Sequence, residues 1–181
     1  GRLARFHVLD TRQYRTDQPA GPRLQSVGLK LQDPAGTLLG PEQLAWLFEG
    51  LDHSPATWNV LAQQVLMAPV DRVPGPDVVV DVDKWAGYEF ERRRVLRHFH
   101  ERGISNPVVL TGDKHNNWAN ELLLDFDGPV ERPAGVEFLG TSITSGGDGA
   151  DQPDYAATLL AENPFVKYHN NERGYVRCVA T

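Results

Sequence analysis

The composition is most informative in what it has little of. There is a single cysteine, Cys178, so no disulfide can form within the chain. No apolar run approaches the roughly 18 residues that a membrane-spanning helix needs. Acidic residues outnumber basic ones by 24 to 18, and the net charge of −6 argues against nucleic acid as the main partner. No Gly-x-Ser-x-Gly motif occurs, which disfavours a hydrolase with a Ser-His-Asp triad.

The rest of the composition is that of an ordinary soluble domain. The 181 residues are 40% hydrophobic and 23% charged, enough for one domain with a substantial core. The chain begins at Gly1 rather than at methionine, shows no leader, and reaches a strand-like stretch at 6–9 almost at once. We therefore expect it to be a piece of a longer protein.

Apolar periodicity predicts three helices, and proline and glycine mark several of their ends. The predicted helices cover 41–51, 89–102 and 153–162. In the second helix, the residues expected to face the core are Phe90, Val95, Leu96 and Phe99. Gly103 follows this helix directly and is expected to cap it.

Runs of β-branched and apolar residues predict strands, and clusters of proline and glycine predict the loops between them. The predicted strands cover 6–9, 58–67, 108–110, 118–126 and 136–139, with a closing antiparallel pair at 165–169 and 174–180. The predicted loops cover 16–40, 68–80 and 140–147, with a polar-aromatic turn at 81–88. The pattern indicates a mixed α/β sheet with helices packed on it and long loops at the strand ends.

A carboxylate and an imidazole follow the apolar strand predicted at 108–110. Asp113 and His115 come directly after Gly112, which breaks the strand. Ligands collect at the carboxyl ends of strands in α/β sheets, and these two side chains suit one divalent or trivalent metal. On this short motif alone, a surface loop that happens to contain Asp and His is an equally good interpretation.

Seven motifs occur in a fixed order along the chain. They are LDTRQYRxDQ at 9–18, GxxQxxWL at 40–47, WNVLAQQ at 58–64, DxWxGYxxxR at 83–92, TGDxH at 111–115, EFxGTSI at 137–143, and NP followed by RGY at 163–175. This series resembles the PhoD-like metallophosphoesterases, a family of secreted alkaline phosphatases and phosphodiesterases that includes secreted bacterial phospholipases D. The resemblance covers nearly the whole chain.

The resemblance implies a fold and a missing part. It implies an α/β fold, a metallophosphoesterase-like mixed β-sheet sandwich flanked by helices, with 1–181 as the C-terminal portion of a four-layer α/β/β/α catalytic domain. The earlier family motifs, which carry iron-binding Cys, Asp and Tyr residues and an Asn ligand, do not occur, and Cys178 does not match that cysteine. We therefore expect an N-terminal fragment of the same precursor as the partner of this chain.

The resemblance also implies a function. Asp113 and His115 would be catalytic ligands of a ferric iron and a divalent cation such as Ca²⁺, with Mn²⁺ or Zn²⁺ as alternatives. The preferred reading is a secreted phospholipase D-type phosphodiesterase that cleaves phospholipid head groups at a membrane surface. Alternatives are an alkaline phosphatase of the same family and a non-catalytic β-rich binding module.

Arg12, Arg173 and Asn116 are the candidate substrate-binding residues, each with a structural alternative. Arg12 and Arg15 either bind phosphate bidentately or form ion pairs with Asp10 or Asp17. Arg173 either clamps phosphate or forms a buried salt bridge, and Asn116 either supports the metal site or is a plain turn residue. Core packing is preferred over pocket lining for Trp85, Tyr88 and Trp118. Residues expected to be structural, or surface and satisfied, are Thr141, Ser142, His7, His53, His98, His100 and His169.

Overall fold

A computed structural model describes residues 2–18, 21, 23–27, 33–128 and 132–181. Among these residues the helices are α1 (Pro41–Asp52), α2 (Glu89–Glu101) and α3 (Ala156–Glu162), and a 3₁₀ turn covers Trp85–Gly87. The strands are β1 (Ala4–Val8), β2 (Leu24–Ser26), β3 (Trp58–Ala62), β4 (Val79–Asp81), β5 (Pro107–Thr111), β6 (Asn117–Leu122), β7 (Gly135–Leu139) and β8 (Val166–Asn170).

Six of the strands form one mixed sheet in the order β1-β3-β5-β7-β6-β8. The strands β1, β3, β5 and β7 run parallel to one another, whereas β6 runs antiparallel to both β7 and β8. The strands β2 and β4 pair separately as a short antiparallel ribbon. Because parallel strands end at the same side, the loops after β1, β3, β5, β7 and β8 all start at one edge of the sheet, which we call the carboxyl edge.

One face of the six-stranded sheet is covered by the helices. Cross-strand register places His7, Leu61, Val109, Glu137 and Asn120 on this face, and all five side chains are buried. Apolar side chains of all three helices join the core that lies against it. The α/β prediction, a mixed sheet flanked by helices, is therefore confirmed.

The opposite face, which we call the outer face, is apolar but uncovered by these helices. Its side chains form two rows, Phe6, Val60, Val108 and Val136, and then Val8, Ala62, Leu110 and Phe138. Within the described residues none of them belongs to the core that the helices form. Phe6 is 59% exposed and Val8 is 71% exposed. The strand β5 is thus apolar on both faces, as the run at 108–110 predicted.

The helices follow the sequence pattern closely. The predictions over 41–51 and 89–102 are confirmed, and the third helix begins at Ala156 rather than at 153. Gly103 has a φ of 60°, the left-handed conformation of a residue that ends a helix.

The expected core side of α2 is wrong at one position. Phe90 is exposed, and its neighbours Glu91 and Arg92 are buried instead. Glu91 is held inside because its carboxylate accepts hydrogen bonds from the backbone N–H groups of Leu38 (2.6 Å) and Leu39 (2.9 Å). A partner so far away in sequence leaves no trace in the periodicity of the helix.

Several strand and loop predictions need correction. The strand predicted over 58–67 ends at Ala62, because the Gln63 side chain accepts a hydrogen bond from the Val65 N–H (3.0 Å) and the chain leaves the sheet. The loops predicted over 16–40 and 68–80 contain β2 and the start of β4. Residues 19, 20, 22 and 28–32 of the first loop lie outside the described part.

The predicted closing pair is also wrong. The strand β8 pairs with β6, in the register Trp118↔His169, so β6 supplies the antiparallel neighbour that a hairpin partner would have supplied. Residues 174–180 form no strand, and Cys178 is exposed. The strand predicted over 118–126 is β6, which ends at Leu122.

A buried carboxylate joins the strands beneath the carboxyl edge. Glu137 of β7 accepts hydrogen bonds from the backbone N–H groups of Met67 (2.7 Å) and Ala68 (3.1 Å). It also accepts hydrogen bonds from Thr111 Oγ1 on β5 (2.8 Å) and Asn120 Nδ2 on β6 (3.0 Å). Burial raises the pKa of Glu137, because the charged form has lost its water. Four segments of the chain are fixed to one another through this side chain.

We expect Glu137→Gln to destabilise the full-length protein by about 1–3 kcal/mol, since a buried N–H group would lose its acceptor. The new amide NH₂ must face either the Met67 or the Ala68 N–H, and neither backbone group can turn away. The measurement is the free energy of unfolding in denaturant. The matched control is Glu101→Gln at the exposed C-terminal end of α2, where a change within about 0.5 kcal/mol is expected. Equal effects of the two substitutions would contradict the role given to Glu137.

Candidate functional site

The loop after β5 carries the two predicted metal ligands in a rare backbone conformation. Asp113 and His115 have φ values of 71° and 58°, in the left-handed region that residues other than glycine seldom adopt. Each such residue costs about 1–3 kcal/mol, and strain of this kind collects at functional sites. Both side chains are exposed at the carboxyl edge. Arg23 and Asn106 have the same kind of backbone conformation, so the choice between a functional loop and a plain surface loop stays a prediction.

Two cations hold the Asp113 carboxylate. Arg12 Nη2 lies 3.3 Å from Oδ1, and Lys84 Nζ is bonded to Oδ2. Arg12 belongs to the loop after β1, and Lys84 belongs to the turn after β4. Three segments that are distant in sequence therefore meet at the carboxyl edge around one carboxylate.

Asp83 accepts hydrogen bonds from three polar side chains of the loop after β1. Its Oδ1 accepts hydrogen bonds from Arg12 Nη1 (3.0 Å), Arg15 Nη1 (2.7 Å) and Gln18 Nε2 (2.6 Å). Arg12 Nη1 lies equally close, at 3.0 Å, to Oδ2. Burial acts to raise the pKa of Asp83, but the hydrogen bonds from Arg15 and Arg12 outweigh it and lower the pKa to about 2. The carboxyl group is therefore ionised at neutral pH.

The ion pairs of Arg12 and Arg15 are formed with a different carboxylate from those expected. In the described part of the chain their partner is Asp83, not Asp10 or Asp17. Asp10 instead accepts hydrogen bonds from the backbone N–H groups of Gln13 (2.9 Å) and Arg12 (2.8 Å), which lower its pKa. An aspartate that bonds to its own backbone two residues on makes a tight turn. Asp10 thus shapes the loop that delivers Arg12.

His115 is oriented by the loop at 140–147. Its Nδ1 lies 3.2 Å from the Ser145 hydroxyl. With Nδ1 occupied in this way, Nε2 is the nitrogen left for a ligand, and a hydrogen bond on the other ring nitrogen is what metal-binding histidines usually have.

Arg173 fastens the same loop. Its Nη1 donates to Ser142 Oγ (2.7 Å) and to the Ser145 carbonyl, and its Nη2 donates to the Asn171 carbonyl and side-chain oxygen. No carboxylate lies within salt-bridge distance of Arg173 among the residues that the structure describes, so the alternative of a buried salt bridge is not found there. The contact with phosphate stays a prediction, and the structure adds a role in holding the loop.

Asn116 and the aromatic residues anchor the site to the core. Asn116 Oδ1 accepts a hydrogen bond from Trp118 Nε1 at 2.6 Å, which leaves its Nδ2 for a contact outside the loop. Trp118, Trp85 and Tyr88 are buried, and core packing is confirmed for all three. The loop that carries Asp113 and His115 is therefore tied to a rigid side chain just below it.

Two of the histidines that were expected to be exposed or satisfied are buried. His7 lies on the helix-covered face, and its Nε2 has no hydrogen-bond partner among the described residues. Burial, and then the charge of Arg5, lower its pKa. His169 packs on the Trp118 ring, and burial lowers its pKa to about 4. Neither residue belongs to the cluster around Asp113.

Sequence reasoning missed two lysines of this site. Lys84 is bonded to a carboxylate 29 residues further along the chain, and nothing in the local pattern points to it. Lys114 lies between the two predicted ligands, and its pKa is lowered to about 8 by burial and then by the nearby charge of Arg72. The only local signal is that Lys84 precedes a tryptophan in a turn rich in aromatic residues.

The residues present fit part of a metal site. Asp113 offers a carboxylate and His115 an imidazole, both suitable for iron or a divalent cation. Within the described residues, no group of three or more His, Cys, Asp or Glu side chains is placed to hold a metal ion. Asp113 and His115 would supply two of the ligands, and the expectation stays that the remaining ligands come from outside this chain.

This edge of a mixed α/β sheet brings the two predicted ligands, Asp113 and His115, together with the cations of Arg12 and Lys84. The model of the PhoD-like phosphatase family matches residues 1–181, and the chain belongs to that family. It is 45% identical to alkaline phosphatase D of Bacillus subtilis (strain 168) over 181 residues, which are all of this chain and 31% of that protein.

A solved structure, described as the structure of PhoD, superposes on 99% of this chain with a TM-score of 0.94 and 45% sequence identity. The match covers 34% of that chain. The fold and the family expected from the motifs are confirmed. The chain spans about a third of the length of the relatives it matches.

We expect Arg173→Ala to lower the stability of the full-length protein by about 1–3 kcal/mol, because the hydrogen bonds that close the 140–147 loop are lost. Thermal unfolding measures this effect, and Arg177→Ala in the exposed tail is the control, with a change within about 0.5 kcal/mol. The inhibition constant of inorganic phosphate is measured in parallel. An unchanged melting temperature would contradict the loop-holding role, and a raised inhibition constant at unchanged stability would favour a direct contact with phosphate.

Proposed function

We propose that the protein containing this chain is a metal-dependent phosphoester hydrolase whose catalytic ligands include Asp113 and His115. The observation that carries the proposal is the placement of the Asp113 carboxylate at the carboxyl edge, on the same loop as the His115 imidazole and between the cations of Arg12 and Lys84. Membership of the PhoD-like phosphatase family supports it.

A bound ferric iron and Ca²⁺, the pair that the family resemblance implies, would neutralise charge on the phosphoryl oxygens and supply an oxygen nucleophile. The side chains of this chain do the positioning. A phosphate beside Asp113 is within reach of Arg12 Nη2, and a guanidinium matches phosphate oxygens better than an ammonium group does. Asn116 Nδ2 is a second donor at the same loop.

A phosphomonoester is the better supported substrate, because the relative that is 45% identical is named an alkaline phosphatase. The phospholipase D-type reading has its own observation. Ile143 of the 140–147 loop and Tyr175 of the tail are both exposed, and the Gly174 N–H donates to the Ser142 carbonyl, so the two segments lie together. Apolar side chains at that place suit contact with a lipid surface, so the reaction on lipid is the second candidate.

The uncovered outer face supports an N-terminal part of the same protein as the partner of this chain. Phe6 and Val8 are exposed on this face, and exposed apolar patches on a protein surface mark places where another part of the protein or a partner binds. Secretion, implied by the resemblance, belongs to the same proposal. Among the described residues, no helix combines the length and the apolar character required to cross a bilayer.

The test of function uses the full-length protein, stripped with a chelator and reloaded with iron and Ca²⁺. We expect p-nitrophenyl phosphate to be hydrolysed with a kcat/KM at least about tenfold above that for bis-p-nitrophenyl phosphate or phosphatidylcholine vesicles, since specificity follows differential transition-state binding. Asp113→Ala and His115→Ala should each abolish turnover and leave the fold intact. Asp148→Ala, at an exposed aspartate of the next loop, is the control. Faster cleavage of the vesicles would favour the phospholipase D reading, and normal turnover in either variant with metal retained would overturn the site.

The test of the covering layer compares two exposed valines. Val8 of the outer face is 71% exposed in this chain and Val179 of the tail is 72% exposed. If the rest of the protein covers the outer face, Val8→Asp buries an unpaired charge and should destabilise the full-length protein by at least about 3 kcal/mol. Val179→Asp should change stability by less than about 0.5 kcal/mol. Equal, small effects in thermal unfolding would contradict the covering layer.

A further inference from the structure

The turn at 83–88 places two residues of opposite charge next to the site, and neither has a role so far. Its Trp85 is fully buried, with Nε1 donating to Gln63 Oε1 (3.2 Å) and the backbone N–H donating to the Leu66 carbonyl (3.2 Å). Gly87 is required, because a Cβ there would lie 2.2 Å from the Val82 carbonyl oxygen. Asp83 and Lys84 are therefore attached to a rigid segment of backbone.

Asp83 determines where the guanidinium of Arg12 points. Arg12 Nη1 is bonded to both oxygens of Asp83, at 3.0 Å each, so Nη2 is directed at the Asp113 carboxylate. Arg15 and Gln18 complete the acceptor capacity of Asp83 Oδ1. The low pKa of Asp83 shows that it keeps its charge while doing so. Without that charge, nothing in the described loop fixes the orientation of Arg12.

Lys84 determines which oxygen of Asp113 is free. Its side chain is only 8% exposed, and Nζ bonds both Asp113 Oδ2 and Asp83 Oδ2 (3.3 Å). Among the residues that the structure describes, Oδ1 of Asp113 has only the longer contact with Arg12, at 3.3 Å. A ligand that approaches from outside therefore meets Oδ1, because Oδ2 is occupied by a buried amine of the same chain.

We propose that Asp83 and Lys84 are positioning residues of the phosphoester site. Asp83 holds Arg12 for phosphate, and Lys84 holds the Asp113 carboxylate so that Oδ1 faces a metal ion. The inference rests on the proposed function and adds two residues to it. A purely structural ion pair with a buried partner would lower stability when it is broken and would contribute nothing to ligand binding.

The first arm tests Asp83 with Asp83→Asn in the full-length, metal-loaded protein. The matched control is Asp52→Asn. The Asp52 side chain has the same 24% exposure as the Asp83 side chain, and it pairs with His98 and Arg102 at the C-terminal end of α1. We expect the inhibition constant of inorganic phosphate and the KM for p-nitrophenyl phosphate to rise about tenfold in Asp83→Asn and to stay constant in the control. Metal content should not change in either variant.

The second arm tests Lys84 by calorimetric titration of Ca²⁺ into chelator-stripped protein. Loss of a side chain that orients a metal ligand usually weakens metal affinity 10–100-fold, and we expect a loss in about that range for Lys84→Met. Lys167→Met, which removes an amine from the outer face, is the control. Lys84→Arg keeps the charge but cannot place one nitrogen between two carboxylates, so it should also weaken Ca²⁺ binding, by at least about threefold.

The outcomes separate the inference from the proposed function. If the unaltered protein neither hydrolyses p-nitrophenyl phosphate nor binds Ca²⁺, the proposed function is wrong. If it does both and Asp83→Asn leaves phosphate binding unchanged, or Lys84→Arg leaves Ca²⁺ binding unchanged or tighter, the positioning roles are wrong. Should Lys84→Met melt below the assay temperature, Lys84→Arg and Asp83→Asn decide the matter.

Discussion

The buried carboxylate of Glu137 is the interaction on which the site depends. It ties β7 to β5 through Thr111, to β6 through Asn120, and to the chain after β3 through two backbone N–H groups. A charge without water keeps its place only while all its donors are present, so these segments cannot shift independently. Thr111 stands two residues before Asp113. A hydrogen-bond network in the core therefore determines the geometry of the exposed loop that carries Asp113.

Local charge, rather than net charge, defines what the carboxyl edge can bind. The chain carries a net charge of −6, yet Arg12, Arg15 and Lys84 are gathered around the two carboxylates Asp83 and Asp113. Ion pairs hold these cations in fixed positions and leave one guanidinium nitrogen near the edge. A small anion can use such an array, whereas a polyanion needs a broad basic surface. The acidic composition and a phosphate ester as substrate are therefore compatible.

The sequence predicts what local pattern and motif order determine, and it misses what long-range pairs determine. The helices α1 and α2 and the buried strand β5 follow from periodicity and composition, and the ordered motifs placed the chain in its family. The burial of Glu91 and the distant partners of Arg12 and Lys84 depend on residues 29 to 101 positions away, which no spacing rule reaches. The closing hairpin fails for the same reason, since β8 takes β6 as its neighbour.

The left-handed backbone at Asp113 and His115 has an evolutionary consequence. Glycine adopts φ values near 71° and 58° without strain, so a glycine at either position would relax the loop by about 1 kcal/mol or more. The same change would delete a side chain on which the proposed chemistry relies. Selection for thermal stability alone would therefore favour glycine at these two positions, and a stability screen of this protein would enrich sequences that lack the proposed ligands.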